Sequence, residues 1–169
     1  MKNLLLIMGI VILFAFTSDK EEQVIIPEDS IRFRVISNSD DNLDLREKNI
    51  LKSFMEKIVY ELIKDAKDKS TVDNIIKENF EYLNEKVQEY LKTDKYSLDY
   101  GINYFPKKVY KGVVYDEGYY NSLVITLGNG KGSNWWCVLF PPLCLLEENN
   151  STKDVEYQFF VSRIINNFK

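Results

Sequence analysis

The sequence predicts an α+β domain, and three observations carry that expectation. Between Leu43 and Leu91 the apolar residues recur at intervals of three and four, the period of a helix with one buried face. At Ile31–Val35, and again from Tyr96 onward, they recur at two, the period of a half-buried strand. Aromatic residues make up 14% of the 169, including 11 Tyr and 10 Phe, which favours a packed core that contains strands. The predicted order is a strand, an antiparallel helix pair, then a mostly antiparallel sheet with a terminal helix. An apolar signal or anchor helix precedes them.

Residues 1–18 set the compartment. Met1-Lys2-Asn3 leads an unbroken apolar run from Leu4 to Phe16, followed by Thr17, Ser18 and the charged Asp19-Lys20-Glu21-Glu22. A short positive head, an apolar core and a polar exit form the pattern of a secretory signal. At ~1.5 Å per residue the run spans about 20 Å, less than the ~30 Å hydrocarbon core of a bilayer. The chain is therefore expected to be exported, either released by cleavage or retained by its anchor. Residues 19–30 read as a linker and 31–169 as a single extracytoplasmic domain.

Ile31-Arg32-Phe33-Arg34-Val35 alternates apolar with charged residues, as a strand with one wet face does. Ser37 to Asn42 is a cluster of turn formers and helix N-caps. Ile50, Leu51, Phe54, Met55, Ile58, Val59, Leu62 and Ile63 form the stripe of a first helix. After Lys67-Asp68-Lys69, Ser70 or Thr71 is placed to cap a second helix, which buries Val72, Ile75, Ile76, Phe80, Leu83, Val87, Tyr90 and Leu91. Tyr96 to Phe105 alternates as a strand ended by Pro106. Tyr119 to Leu127 is another strand, with Leu123, Ile125 and Leu127 on one side. Gly128-Asn129-Gly130-Lys131-Gly132 contains Asn-Gly, a hairpin signal, with Asn134 to Phe140 as the return strand. Glu147 to Asp154 reads as a loop, and Val155 to Phe168 as the terminal helix.

The composition excludes much chemistry. The chain has no histidine, which removes histidine general bases, Ser-His-Asp catalysis and imidazole zinc sites. Its two cysteines are too few for all-thiolate zinc or iron–sulfur sites. A net charge of −4 gives no basic footprint for nucleic acid. No cofactor and no metal are expected. The glycine-rich loop is not a phosphate-binding loop either, because Lys131 is followed by Gly132 instead of Ser or Thr.

In an oxidising compartment, Cys137 and Cys144 are candidates for a disulfide. Extended chain at ~3.3 Å per residue would hold their Cα atoms about 23 Å apart, whereas a bridge needs about 4.4–6.8 Å. Pro141-Pro142 would have to reverse the chain. The alternative is a pair of buried thiols. Trp135 and Trp136 are adjacent on a strand, so one is expected to face the core and the other outward; burial of both is the other possibility. Asp99 and Asp116 are the carboxylates left open for a cell-wall-active hydrolase, which needs two at about 5–10 Å on a cleft.

Two segments resemble the stage II sporulation protein R family of endospore-forming Firmicutes: Ile31-Arg32-Phe33-Arg34-Val35-Ile36-Ser37-Asn38-Ser39-Asp40 and the stretch GNGKGSNWWCVLFPPLC from Gly128 to Cys144. The resemblance extends over about residues 31–169. It departs from the family pattern at Ser37, where Ala is usual, at the helix start Asn42-Leu43-Asp44, and in the tyrosine-rich segment Tyr110 to Tyr120. It implies a non-enzymatic role. Such proteins are made in the forespore and exported into the intermembrane space. There they activate a membrane-embedded aspartic protease that processes the mother-cell sigma factor precursor. The loop residues Lys131, Asn134, Trp135 and Trp136 are the expected partner-binding face, with no small-molecule substrate.

Overall fold

The computed structural model describes residues 24–144 and 154–168, with the side chains of 154–160 excepted. The expected signal or anchor at 1–18 lies outside the described residues, as does most of the loop expected after Cys144. The elements in chain order are β1 (Val24–Ile25), β2 (Ile31–Ile36), α1 (Asn42–Ile63), α2 (Lys69–Glu78), α3 (Phe80–Leu91), β3 (Tyr96–Phe105), β4 (Lys108–Tyr110), β5 (Val113–Tyr115), β6 (Gly118–Leu127), β7 (Asn134–Phe140) and α4 (Asp154–Asn167). The class is α+β, as the sequence predicts, with four helices and two mixed sheets among the described residues.

The larger sheet has the order β3-β6-β2-β7, and the smaller one β1-β5-β4. In the larger sheet β2 runs parallel to β6 and antiparallel to β7, while β3 is antiparallel to β6. In the smaller, β1 is parallel to β5 and β4 antiparallel to it. The expectation of a mostly antiparallel sheet is thus corrected to mixed. The hairpin expected around Asn129-Gly130 is corrected too. β6 and β7 do not pair, because β2 lies between them.

The sheet has a core on each side. Phe33, Val35, Leu123 and Ile125 face the helices and pack with Leu51, Met55 and Val59 of α1, Val72 and Ile76 of α2, and Leu83 and Val87 of α3. Each such fully buried side chain contributes ~1.5–3 kcal/mol. On the other face, Phe105, Tyr120, Trp136 and Val138 pack with Ile26, Val113 and Tyr115 of the small sheet and its approach, and with Val161 and Ile165 of α4. Val24–Ile25 pairs with β5 and Ile26 is buried, so the segment expected to be a linker over 19–30 is part of the fold from Val24.

The helix expected after Lys69 is two helices. Asn79 interrupts it, its side-chain Nδ2 donating to the Ile75 carbonyl (2.8 Å) in competition with the backbone ladder. The cap of α2 is Asp68, not Ser70 or Thr71: its Oδ1 accepts from the Thr71 N–H (2.8 Å). Arg32 and Arg34 do alternate with the core residues of β2, but the face they occupy is not wet, since Arg32 is 0% exposed.

Candidate functional site

The connection from β6 to β7 passes over the carboxyl end of β2, and there it is clamped to the segment after that strand. The N–H groups of Lys131 and Gly132 donate to the carbonyls of Asn38 and Ser37 (both 3.0 Å), and the Ser37 N–H donates to the Ser133 carbonyl (3.3 Å). The Asn129 N–H donates to Asn38 Oδ1 (3.0 Å), and the Ser133 N–H to Asp40 Oδ1 (2.6 Å). From α1, the buried Lys48 Nζ donates to the carbonyl (3.3 Å) and Oγ (3.4 Å) of Ser133. Burial lowers the pKa of that ammonium, with the Asp40 carboxylate opposing the shift.

This packing explains the glycines of the motif. Gly128 has φ +52, and a Cβ there would overlap the Asn38 side-chain oxygen. A Cβ on Gly132 would overlap the Ser39 carbonyl. The glycines let two backbones approach each other, which removes the need for a phosphate to account for them.

The four residues expected to form the recognition face do not share one environment. Lys131 and Asn134 are exposed. Trp135 is half-buried on the helix side, edge-on to Phe33 with ring centroids 5.7 Å apart and with Lys52 Nζ 4.5 Å from its ring centroid. Trp136 is 5% exposed and edge-on to Phe105 (5.3 Å) and Tyr115 (5.4 Å). The strand divides the pair between its faces as expected, but Trp136 is a core residue. The surface available to a partner is therefore Lys131, Asn134 and the uncovered part of Trp135.

Cys137 and Cys144 form a disulfide, with Cα atoms 5.2 Å apart. Pro141-Pro142 make the turn, entered through a cis Phe140–Pro141 peptide, and the Leu143 N–H closes it on the Val138 carbonyl (3.1 Å). Glu56 is buried beside the bridge and pairs with Lys52 (3.3 Å). Its carboxylate lies within 4.8 Å of both sulfurs, yet sulfurs bonded to each other leave no thiolate for a cation. Lys52 thus links the Trp135 ring to the carboxylate that lines the disulfide.

Arg32 occupies an aromatic cage on the opposite face. Its guanidinium carbon is 3.4 Å from the Tyr120 ring centroid, 5.1 Å from Phe105 and 5.0 Å from Trp136. Nη2 donates to the Asp116 carbonyl (3.2 Å), while Nε and Nη1 have no hydrogen-bond partner among the described residues. Burial lowers its pKa to about 10.

Beside the clamped loop lies an open cleft of about 680 Å³, whose polar lining includes Asn38, Asp44, Glu47, Asp94 and Asn129. Asp44 accepts from Ser39 Oγ (2.6 Å) and Asn38 Nδ2 (2.8 Å), bonds that hold its carboxyl below the usual range. The hydrolase candidates do not line this cleft. Asp99 accepts from the Asn103 side chain (3.0 Å) on β3, and Asp116 pairs with Lys107 (3.5 Å) beyond β5.

Sequence reasoning missed Lys48 and Glu56, though position alone marks both. Lys48 lies three residues before Leu51, and Glu56 three before Val59, so the helical period carries each into the buried stripe. Asn38 and Asp40 were visible only as turn formers.

A family model described as Stage II sporulation protein R matches residues 27–150. Stage II sporulation protein R of Bacillus subtilis (strain 168) is 35% identical over 140 residues, covering 79% of this chain and 62% of the relative. The matched part thus spans less than two thirds of that relative's length. No solved structure matches.

Proposed function

The chain belongs to the stage II sporulation protein R family, and from that premise we propose that it is an exported messenger of endospore formation. In this reading it leaves the forespore, enters the space between the two membranes and activates a membrane-embedded aspartic protease. That protease then removes the inhibitory segment of the mother-cell sigma factor precursor. The protein acts by being bound and performs no bond cleavage itself.

The observation that carries this reading is the clamped loop from Gly128 to Ser133, which falls inside the region shared with the family. Six hydrogen bonds to Ser37, Asn38, Asp40 and Lys48, besides the one that Ser37 donates back, fix it in place while Lys131 and Asn134 remain exposed. A surface ordered before binding has little conformational entropy left to lose on association. A partner that binds it more tightly in its active state is shifted toward that state.

Co-expression of the full chain with the candidate protease and its precursor, in a host that does not sporulate, tests the reading. Cleavage is expected only when this chain is present and exported. The paired change Lys131→Glu with Trp135→Ala is expected to lower cleavage while the protein still folds. Cleavage in the absence of this chain, or undiminished by the paired change, sinks the respective half of the proposal.

A further inference from the structure

The β3–β6 ladder runs from Tyr96↔Leu127 at one end to Phe105↔Gly118 at the other. β3 is the outermost strand of its sheet, so among the described residues its far edge pairs with no strand. Near Tyr96, Leu98 and Tyr100 the helices cover this side of the ladder. Beyond Tyr100 the cover stops: Ile102 is 65% exposed, Tyr104 48% and Tyr119 73%. Tyr104 and Tyr119 are register partners with ring centroids 5.5 Å apart. Ile102, two residues from Tyr104, points to the same side.

A long apolar edge of this kind is normally blunted by charge or proline, yet β3 contains one charged residue, Asp99. The charges that border the patch are acidic. Asp99 is exposed on the reverse face of β3, while on the face of the patch Glu117 accepts from the Tyr104 hydroxyl (3.4 Å). The lysines that follow β3 are engaged, Lys107 with Asp116 (3.5 Å) and Lys108 over the Trp136 ring (4.9 Å).

We propose that this half of β3 is a docking edge for an extended, basic segment of another protein. The segment adds a strand alongside β3. Its alternate apolar side chains rest on Ile102 and Tyr104, and the lysines or arginines between them point to the other face, where they meet Asp99. A second copy of this chain is the poorer occupant, because its net charge is −4 and a symmetric pairing sets the same acidic borders against each other. The edge lies at the opposite end of the ladder from the Gly128–Asn134 loop. Tyr104↔Tyr119 is eight residues along from Tyr96↔Leu127, about 26 Å at ~3.3 Å per residue. It is therefore a surface separate from the one assigned to triggering.

The test is fluorescence anisotropy with the full chain and a labelled peptide as long as β3, alternating lysine with valine or tyrosine, beside its glutamate counterpart. The lysine peptide is expected to bind at least roughly tenfold more tightly than the glutamate peptide. Ile102→Lys is expected to weaken it by roughly tenfold or more, and Asp99→Lys by several-fold. Val109→Lys, at an equally exposed apolar position on β4 (62%), is expected to leave it unchanged. Equal binding of the two peptides, or no effect of Ile102→Lys, overturns the proposal. So does self-association in sedimentation velocity, or binding to phosphatidylglycerol vesicles, that Ile102→Lys abolishes, since either assigns the edge to a different occupant.

Discussion

The ammonium of Lys48 lies 3.3 Å from the Ser133 carbonyl and 3.4 Å from its hydroxyl, joining the second turn of α1 to the end of the glycine loop. A lysine that is 6% exposed is held at a desolvation cost, so its contribution is to fix the loop more than to raise overall stability. Lys48→Met removes the charge and keeps much of the volume. Global unfolding is expected to change by no more than about 1 kcal/mol. Hydrogen exchange at the Lys131 and Gly132 amides is expected to accelerate, by roughly tenfold. Unchanged exchange there shows that Asn38 and Asp40 hold the loop without it.

Gly132 and Gly101 separate close approach from mere absence of a side chain. A Cβ at Gly132 meets the Ser39 backbone, whereas at Gly101 the nearest atom is an Asp99 carboxylate oxygen at 3.7 Å. Gly132→Ala is expected to cost about 1–3 kcal/mol in urea unfolding, and Gly101→Ala about 0.5 kcal/mol at most. Equal costs refute the packing account of the glycine motif.

The disulfide closes a short loop, with a sequence separation of 7. On the chain-entropy model it stabilises by about 2–3 kcal/mol. Replacing both Cys137 and Cys144 by Ala is expected to lower the melting temperature by roughly 5–12 °C. Reductant is expected to lower the wild-type value and to leave that of the variant unmoved. A wild type insensitive to reductant after unfolding in its presence contradicts the bridge.

Much of this fold is readable in the chain because its signals are local. The stripe from Leu51 to Ile63 and the alternation from Tyr96 to Tyr100 each report one buried face, and both occur where expected. The errors arise where a non-local partner prevails over a local signal. Asn129-Gly130 looks like a hairpin turn, but β2 offers β6 a parallel partner with Phe33, Val35, Leu123 and Ile125 on the same buried side. Insertion of β2 converts the turn into a crossover. Arg32 looks solvated because charge usually is; nothing within β2 announces that Phe105, Tyr120 and Trp136 will cover it. Of the loop residues, Lys131 and Asn134 are exposed as their polarity suggests, while Trp136 is claimed by the second core. That core draws on residues as far apart in sequence as Ile26 and Ile165, and no local period carries such a contact.

Asp68 gives a pH dependence with a definite sign. Hydrogen bonds from Ser70 Oγ, the Thr71 N–H and Thr71 Oγ1 lower its pKa to about 2, against about 3.9 for a free aspartate. A depressed folded-state pKa stabilises above the unfolded value, and that stability is lost as pH falls through the folded one. Asp68→Ala is therefore expected to melt lower than wild type at pH 6. The gap should narrow between about pH 4 and about pH 2. A gap that is constant across this window assigns the effect to something other than the charged cap.

Arg32 tests whether a caged, fully buried cation stabilises the fold at all. Among the described residues Nη2 has one carbonyl partner and Nε and Nη1 have none, and the pKa has fallen to about 10. The Asp116 carbonyl keeps a second donor in the Tyr120 hydroxyl (3.0 Å) when the guanidinium is removed. Under these conditions an apolar group of similar length replaces a buried charge at little cost or with a gain. Arg32→Met is expected to match or exceed wild-type stability in urea, whereas Arg32→Ala, which leaves a cavity among three rings, is expected to lose roughly 2–5 kcal/mol. The alkaline limb adds a sign. Because the folded protein releases this proton at about pH 10, below the ordinary 12.5, the unfolded chain binds more protons in between, and this group's contribution rises with pH there. Wild type is thus expected to gain on Arg32→Met as pH rises above about 10, while the titration of Tyr100, common to both, cancels in the difference. If Arg32→Met loses as much as Arg32→Ala, the cation–ring contacts outweigh desolvation, and the cage is a stabilising element of the fold.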